Sequence, residues 1–178
     1  MDAILRPWRG DDAAALLDAV RSSPDLEWQF GPATPRTLDA CERFVAERLV
    51  VADDRVNLAI VADDRAVGNI GASRFDRVND IGWVYYWLRT DVRGRGLAAR
   101  AAAALAAHCF DELGLFRLEL GHRVNNPASC AVARRAGFRI EGVERQKLRH
   151  GDERFDTETH ARLATDPAPP LEVLAIGR

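Results

Sequence analysis

The chain has 178 residues, of which 47% are hydrophobic, so it is long enough for one domain with a substantial core. Its 25 basic and 27 acidic side chains give a formal net charge of −2. This balance argues against a nucleic-acid-binding protein, because such proteins usually carry a basic surplus. No apolar run approaches the ~20 residues of a membrane-spanning helix, and the first residues lack the pattern of a signal peptide.

The cysteines and histidines indicate neither disulfides nor a metal site. The three cysteines are far apart and form no C-x-x-C pair, which favours a reducing compartment and hence a cytoplasmic protein. The four histidines show no ligand-like spacing with them, so no metal is predicted. These residues are Cys41, Cys109, Cys130, His108, His122, His150 and His160.

Hydrophobic periodicity and turn residues predict the elements in chain order. A strand over 3–8 precedes a helix that begins at Asp11 or Asp12 and runs to Val20. An irregular stretch then leads to Thr34 and Pro35, which are typical of a helix start. The remaining elements are three strands of a meander (56–62, 66–75 and 80–89), a helix over 97–114, a strand over 116–121, a short helix over 126–137 and a hairpin (138–148 and 154–163).

This order of elements predicts a single mixed α/β domain, since strands and helices alternate without a dividing linker. No internal repeat is present in the sequence. The domain is expected to cover residues 1–164, and a proline-containing tail over 165–178 is expected to lie on its surface.

A glycine-rich segment, Arg93-Gly94-Arg95-Gly96-Leu97-Ala98, lies between a predicted strand and a predicted helix. The first N–H groups of a helix have no partner inside it, and the helix dipole puts partial positive charge there. Glycines let the backbone approach an anion closely, so this junction suits a pyrophosphate. The segment is not a Walker A loop, and it lacks the third glycine of a dinucleotide-binding fingerprint. A helix start without a ligand is the alternative.

The spacing Arg93-x-x-Gly96-x-Ala98 resembles the coenzyme A pyrophosphate motif of the GCN5-related N-acetyltransferases (GNAT), Arg/Gln-x-x-Gly-x-Gly/Ala. Downstream, Asn126-Pro127-Ala128-Ser129, Ala136-Gly137-Phe138 and Glu141-Gly142 resemble the second half of this family, in particular its RimJ/RimL-like branch of ribosomal-protein N-acetyltransferases. The resemblance spans residues 5–163. The combination at this spacing is more specific than any single motif.

The resemblance implies a fold, a co-substrate and an acceptor. The fold has a mostly antiparallel central sheet that splays apart between its fourth and fifth strands, with about four helices around it. Acetyl-CoA lies in the cleft, and the acceptor is a primary amine, in the first place a protein N-terminus. Neither a nucleic acid nor a membrane is implied as a partner, and homodimers are common among similar proteins. The implied coenzyme-binding residues are Trp87, Leu88 and Arg89 at the pantetheine, Arg93, Gly94, Arg95, Gly96, Leu97 and Ala98 at the pyrophosphate, Asn126 as a side-chain partner of the coenzyme, and Ser129 beside the thioester.

Ser129 and Glu119 are the candidates for catalysis. Ser129 stands where the family's serine approaches the thioester sulfur, and helix capping beside Asn126 is its alternative role. The glutamate that many relatives carry on the fourth strand is absent, because that stretch reads Trp83-Val84-Tyr85-Tyr86. Leu148 stands near the place of the glutamate proposed for the serine-specific branch. Glu119 is the best remaining carboxylate for a general base; an ion pair with an arginine, or deprotonation of the amine by a water chain, are the alternatives.

Aromatic residues offer two interpretations. Trp83, Tyr85 and Trp87 alternate on one face of the fourth strand, where they either pack in the core or line an acceptor pocket together with Trp28 and Phe30.

Three alternatives to a protein N-acetyltransferase stay open. The acceptor could be a small amine such as an antibiotic or a polyamine. The absent fourth-strand glutamate favours a non-catalytic acyl-CoA-binding sensor. A phosphate-loop protein of another kind, such as a nucleotide binder, would use the same glycine-rich segment.

Overall fold

The computed structural model describes residues 2–177 and is built around an eight-stranded mixed sheet. Its strands are β1 (Ala3–Pro7), β2 (Arg55–Ala62), β3 (Arg65–Asp76), β4 (Ile81–Leu88), β5 (Arg117–Arg123), β6 (Arg139–His150), β7 (Glu153–Leu163) and β8 (Ala175–Ile176). Five α-helices lie among the described residues: α1 (Ala13–Ser22), α2 (Leu26–Phe30), α3 (Leu38–Arg48), α4 (Leu97–Asp111) and α5 (Pro127–Arg135). The strand order across the sheet is β6-β7-β5-β4-β3-β2-β1-β8.

Apolar side chains cover both faces of the sheet. Leu58 and Ile60 of β2 belong to the cluster that packs with α4 and α5. Ala59 and Val61 belong to the cluster on the other face, with α1 and α3. β2 is therefore buried on both sides, which accounts for its continuous apolar run. Ten of the fifteen residues of α4 are buried, so this helix is fixed firmly in the core. None of the helices within residues 2–177 is long and apolar enough to cross a membrane.

The sheet opens between β4 and β5. These strands run parallel over three residue pairs: Ile81 with Arg117, Gly82 with Leu118 and Trp83 with Glu119. Beyond Trp83, β4 stays paired with β3, while β5 stays paired with β7 along its full length. The two halves of the sheet therefore diverge and leave a cleft between them. The predicted mixed α/β fold, with its splay between the fourth and fifth strands, is confirmed.

Two predicted features near the start of the chain are wrong. The stretch expected to be irregular contains α2, whose Leu26 is 3% exposed and packs in the core. The next helix, α3, begins at Leu38, later than the expected start at Thr34. Its N-cap is Thr37, whose side chain accepts a hydrogen bond from the backbone N–H of Ala40 at 3.2 Å. Tertiary burial in the first case and the cap in the second decide where these helices lie.

The segment after residue 164 differs from the expected surface tail. Ala175–Ile176 forms β8, which pairs parallel with β1. Leu174, just before it, is 2% exposed and belongs to the core. Removing this apolar side chain from water is favourable, and this holds the segment against the rest of the domain. The ends of the predicted ranges, Met1 and Arg178, lie outside the described residues. The division into a domain over 1–164 and a tail stays a prediction.

The other end of the sheet is β6, which is irregular along its length. Most of its residues are exposed, and many carry charge. Its register with β7 shifts twice, between Ile140 and Gly142 and between Glu144 and Leu148. Such shifts bend a strand and interrupt the regular spacing of its free backbone groups.

A buried ion pair joins β1 to the start of α1. Arg6 donates from Nη1 to Asp12 Oδ2 at 2.6 Å and from Nη2 to Oδ1 at 2.8 Å, and the Arg9 N–H donates to the same carboxylate at 2.8 Å. Burial on its own would raise the pKa of Asp12, but the hydrogen bonds from Arg6 and Arg9 outweigh it and hold the pKa below its usual value. Asp12 thus stands at the predicted N-cap position but makes no side-chain cap of α1.

Replacing Asp12 should destabilise the fold markedly. We expect Asp12→Ala to lower the free energy of unfolding by about 3–5 kcal/mol, because it leaves the Arg6 guanidinium buried without its partner. The folded-state pKa of Asp12 is depressed, so its contribution is present above about pH 4 and is lost as the pH falls further. Urea unfolding across this pH range measures both effects. Asp39→Ala, which removes an exposed pair with Arg43, is the control and should cost less than about 1 kcal/mol; equal losses would contradict the prediction.

Candidate functional site

The edge of β4 that faces the cleft is determined by its register with β3. The Arg89 N–H donates to the Val67 carbonyl at 2.9 Å, so Arg89 and, two residues earlier, Trp87 direct their backbone groups toward β3. In an antiparallel ladder the residues between such pairs direct theirs to the opposite side. The N–H and C=O groups of Tyr86 and Leu88 therefore face the cleft, where the ladder with β5 has already ended.

The chain passes from β4 into α4 through a turn that contains Gly94 and Gly96. Both residues have positive φ angles, 76° and 78°, which glycine adopts without strain. Gly96 is the N-cap residue, and no side chain of the described residues caps this helix. The Arg100 N–H donates to the Gly96 carbonyl at 3.1 Å. The N–H groups of Leu97 and Ala98 thus belong to the first helical turn, which is the part of a helix that binds anions.

Arg93 and Arg95, the two arginines of this turn that were expected at the pyrophosphate, direct their side chains to backbone carbonyls of the protein. Arg93 donates from Nε and Nη2 to the Leu88 carbonyl at 2.9 and 2.8 Å, and its Nη1 forms an ion pair with Asp25 at 2.8 Å. Arg95 donates to the Asp91 carbonyl at 3.2 Å. Arg93 therefore ties the end of β4 to the residue before α2.

A third arginine, Arg135, lies at the same turn and was missed in the sequence analysis. A Cβ atom added to Gly96 would lie 3.6 Å from its Nη2. No hydrogen bond or ion pair involves Arg135 within residues 2–177. It is the last residue of α5, so its position depends on how α5 packs beside α4, which the local sequence does not reveal.

The start of α5 faces the open part of β4. The Asn126 side chain caps the helix, since its Oδ1 accepts a hydrogen bond from the Ser129 N–H at 3.1 Å. The Ser129 carbonyl accepts a hydrogen bond from the Tyr86 hydroxyl at 3.4 Å. Burial raises the pKa of Tyr86, which keeps the phenol protonated as a donor. The Ser129 side chain also hydrogen-bonds to the Tyr86 hydroxyl, which partly offsets the effect of burial on the pKa of the phenol. The cap of α5 is formed by Asn126 rather than by Ser129.

Trp83 and Glu119, the last β4–β5 pair, mark the bottom of the cleft. The Trp83 ring lies against β5, because a Cβ atom on Gly121 would be 3.2 Å from its Cη2. The Glu119 carboxylate accepts a hydrogen bond from Arg117 Nε at 2.7 Å. Arg117 also pairs with Glu141, and this contact lowers the pKa of the Glu141 carboxyl. The ion pair that was the alternative role for Glu119 is therefore present.

The aromatic residues divide between the core and a bridge across the cleft. Trp87 is 5% exposed and packs against Trp8 and Phe30, with ring centroids 5.9 and 5.6 Å apart. Trp28 is 58% exposed and stacks on His150, with ring centroids 4.7 Å apart. Phe30 anchors α2 to the β4 side, while His150 ends β6 on the β5 side. The stack of Trp28 on His150 therefore connects the two halves of the opened sheet.

Comparison with known proteins identifies the family. Residues 2–139 match the acetyltransferase (GNAT) domain. The chain belongs to the GNAT family. It is 33% identical over 104 residues to the ribosomal-protein-serine acetyltransferase of Escherichia coli (strain K12), a match that spans 58% of each chain. It is 29% identical over 125 residues to the putative ribosomal N-acetyltransferase YdaF of Bacillus subtilis (strain 168), over 68% of each chain.

Solved structures of GNAT proteins share the fold. A structure of RimL, a ribosomal-protein α-N-acetyltransferase in complex with coenzyme A, superposes with a TM-score of 0.83 at 22% identity, covering 92% of this chain and 94% of that one. RimJ of Mycobacterium smegmatis, in complex with a CoA disulfide, gives a TM-score of 0.75 at 26% identity, covering 90% of this chain and 81% of that one. The predicted RimJ/RimL-like relationship is confirmed.

The contacts of Arg93 predict a local effect of its removal. We expect Arg93→Ala to speed amide hydrogen exchange in residues 23–31 by ~10-fold, because α2 loses its tie to the end of β4. Amides of β2 and β3 should keep their protection. Exchange followed by mass spectrometry measures this, with Arg43→Ala on the exposed face of α3 as the control. Unchanged exchange in residues 23–31 would show that the contacts of Arg93 do not hold α2.

Proposed function

We propose that this chain is an N-acetyltransferase that transfers the acetyl group of acetyl-CoA to a primary amine, with a protein N-terminus as the acceptor. The observation that carries the proposal is the cleft between β4 and β5. Its β4 wall presents free backbone groups, and it leads to the start of α4, which suits an anion. An extended amide-containing arm that ends in a pyrophosphate, as in coenzyme A, matches both features in this order.

Among Trp87, Leu88 and Arg89, we assign the pantetheine contact to Leu88. The backbone groups of the other two residues face β3. The Leu88 carbonyl already accepts hydrogen bonds from Arg93, which leaves the Leu88 N–H for a ligand. Arg93 thus supports the coenzyme indirectly, by fixing the backbone from which the pantetheine arm is bound.

The pyrophosphate would lie on the N–H groups of residues 93–98. Gly94 and Gly96 keep side chains out of its way, and the dipole of α4 favours its charge. Arg135 is a further candidate, because its guanidinium is close to Gly96 and has no partner within residues 2–177. Charge-assisted hydrogen bonds from a guanidinium to phosphate oxygens are strong, so Arg135 adds to affinity. Asn126 uses its oxygen for the helix cap, and its amide nitrogen is the atom we assign to the coenzyme.

Acetyl transfer requires the amine nitrogen to attack the thioester carbonyl carbon, after which the C–S bond breaks and the thiolate leaves. We assign the Tyr86 N–H, which also faces the cleft, to the carbonyl oxygen. We assign the Ser129 hydroxyl, which also hydrogen-bonds to Tyr86, to the departing sulfur. The amine must also lose a proton. Glu119 would have to weaken its ion pair with Arg117 to accept it, which leaves a water chain as the alternative route.

The acceptor would enter beside the stack of Trp28 on His150. A cavity of about 360 Å³ lies there between α2 and the β6–β7 turn, and its walls include Glu27 and Arg149. Burial, together with the charge of Arg123, lowers the pKa of His150, so the ring is neutral when it stacks. The names of the curated relatives support a protein acceptor, since two of them are called ribosomal acetyltransferases.

Coenzyme binding is the first test. We expect Gly96→Glu to weaken coenzyme A binding by at least ~10-fold, because it places a negative side chain with an unfavourable φ angle against the pyrophosphate. Arg135→Ala should weaken it by ~10- to 100-fold through loss of a charge-assisted hydrogen bond. Isothermal titration calorimetry measures both, with Arg145→Ala on the exposed face of β6 as the control. Full affinity in Gly96→Glu would refute the pyrophosphate site.

Turnover is the second test. It is measured as the release of free thiol from acetyl-CoA in the presence of peptides with different N-terminal residues, polyamines or aminoglycosides. We expect product with peptides, and we expect Ser129→Ala to lower kcat by roughly 10- to 100-fold with little change in acetyl-CoA affinity. Product from small amines alone would exclude the protein acceptor. Coenzyme binding without product from any amine would identify a sensor. Equal losses of kcat and affinity in Ser129→Ala would assign that residue to binding instead.

A further inference from the structure

Four side chains with metal-binding atoms converge between β5, β7 and α5. His122 lies on β5, Cys130 on α5, and Glu158 and His160 on β7; one ligand atom from each lies within 4.8 Å of the others. The side chains of His122 and His160 are 6% and 0% exposed. Sequence spacing gave no sign of this group, because the pairing of β5 with β7 brings residues together that are far apart in the chain.

The hydrogen bonds of the two imidazoles determine where their protons lie. His122 Nδ1 is 3.0 Å from the Arg123 carbonyl, and His160 Nδ1 is 3.5 Å from the Phe138 carbonyl. A carbonyl oxygen only accepts hydrogen bonds, so each Nδ1 carries a proton. In the neutral rings, each Nε2 is then an unprotonated nitrogen with a lone pair. This arrangement, an Nδ1–H bonded to a carbonyl and a free Nε2, is the one that metal-binding histidines adopt.

The free nitrogens and a carboxylate point at one another. His122 Nε2 lies 3.0 Å from His160 Nε2 and 3.3 Å from Glu158 Oε1, and His160 Nε2 lies 2.9 Å from the same oxygen. Three electron-rich atoms at these separations repel unless a positive charge lies among them. An ion bound at the ~2.0–2.2 Å typical of zinc would reach all three.

We propose that His122, Cys130, Glu158 and His160 bind one Zn²⁺ ion. Two neutral imidazoles, a thiolate and a carboxylate make a four-coordinate set of the kind that zinc prefers, and the two negative charges balance the ion in a largely buried place. Zinc binding releases the thiol proton of Cys130 to solvent. Without a cation the Cys130 thiol hydrogen-bonds to Glu158, and this hydrogen bond raises the pKa of the thiol.

The ion would serve as a structural link. It would connect α5 to β5 and β7, which lie on the same side of the cleft. Cys130 directly follows Ser129, so the link also fixes the start of α5. This inference concerns a site separate from the coenzyme cleft, and it stands whether or not the chain transfers acetyl groups.

Metal binding by the full chain, prepared without a histidine tag and stripped with a chelator under reducing conditions, tests the proposal. We expect one zinc ion per chain by mass spectrometry of the metal, and a melting temperature that rises by about 5–10 °C at a hundredfold excess of zinc over its dissociation constant. Cobalt should give visible ligand-field bands of a tetrahedral site and a near-ultraviolet thiolate-to-cobalt band. A folded chain that binds neither metal would overturn the proposal.

Variants locate the ion. Cys130→Ser should abolish the thiolate-to-cobalt band. It should also weaken zinc binding by more than ~10- to 100-fold, which is the loss typical of removing a residue that only hydrogen-bonds to a metal ligand. Cys41→Ala and His108→Gln, which lie outside the cluster, should keep both properties. Glu158→Gln is a second variant in case Cys130→Ser does not fold, as judged by circular dichroism, and it should likewise lose affinity. Zinc binding that is equal in Cys130→Ser, Glu158→Gln and Cys41→Ala would place the ion elsewhere and refute the site.

Discussion

The short parallel ladder between β4 and β5 is the constraint on which the rest of the molecule depends. Backbone N–H and C=O groups that lose a strand partner must find another one. Leu88 shows how this requirement is met, because its carbonyl is held by Arg93 while its N–H is directed into the opening. The same divergence places the start of α4 at the end of the opening, so one break in the sheet provides both a wall of hydrogen-bonding groups and a place for negative charge.

Elements and motifs that depend on residues close together in the chain could be predicted from the sequence. Contacts that depend on how distant elements pack could not. The strands of the meander and the glycine turn before α4 follow from local patterns, and the motif around Gly96 led to the correct family. The direction of the Arg93 side chain and the place of Arg135 depend on contacts between distant elements. The pairing of His122 with His160 depends on the register of two strands. Neither propensity nor spacing encodes such contacts.

The structure separates the parts that would hold the coenzyme from the parts that would choose the acceptor. The proposed coenzyme contacts belong mainly to the end of β4 and to the start of α4, a helix that is mostly buried in the core. The bridge of Trp28 and His150 belongs to a five-residue helix and to a hairpin turn. Substitutions in a short helix or a turn disturb few buried contacts, whereas changes in a buried helix are costly. Under the proposed function, the range of acceptors could therefore change in evolution while the coenzyme site stays constant.

An open sheet has two outermost strands, and each is a template on which a strand of another molecule can add. Here β8 occupies the free side of β1, and β6 breaks its own regularity with two register shifts and a row of exposed charges. Growth of the sheet from copy to copy is therefore opposed at both ends, which protects a protein of this architecture against fibrous aggregation. Two copies that associate would have to do so through side-chain surfaces rather than by joining their backbones.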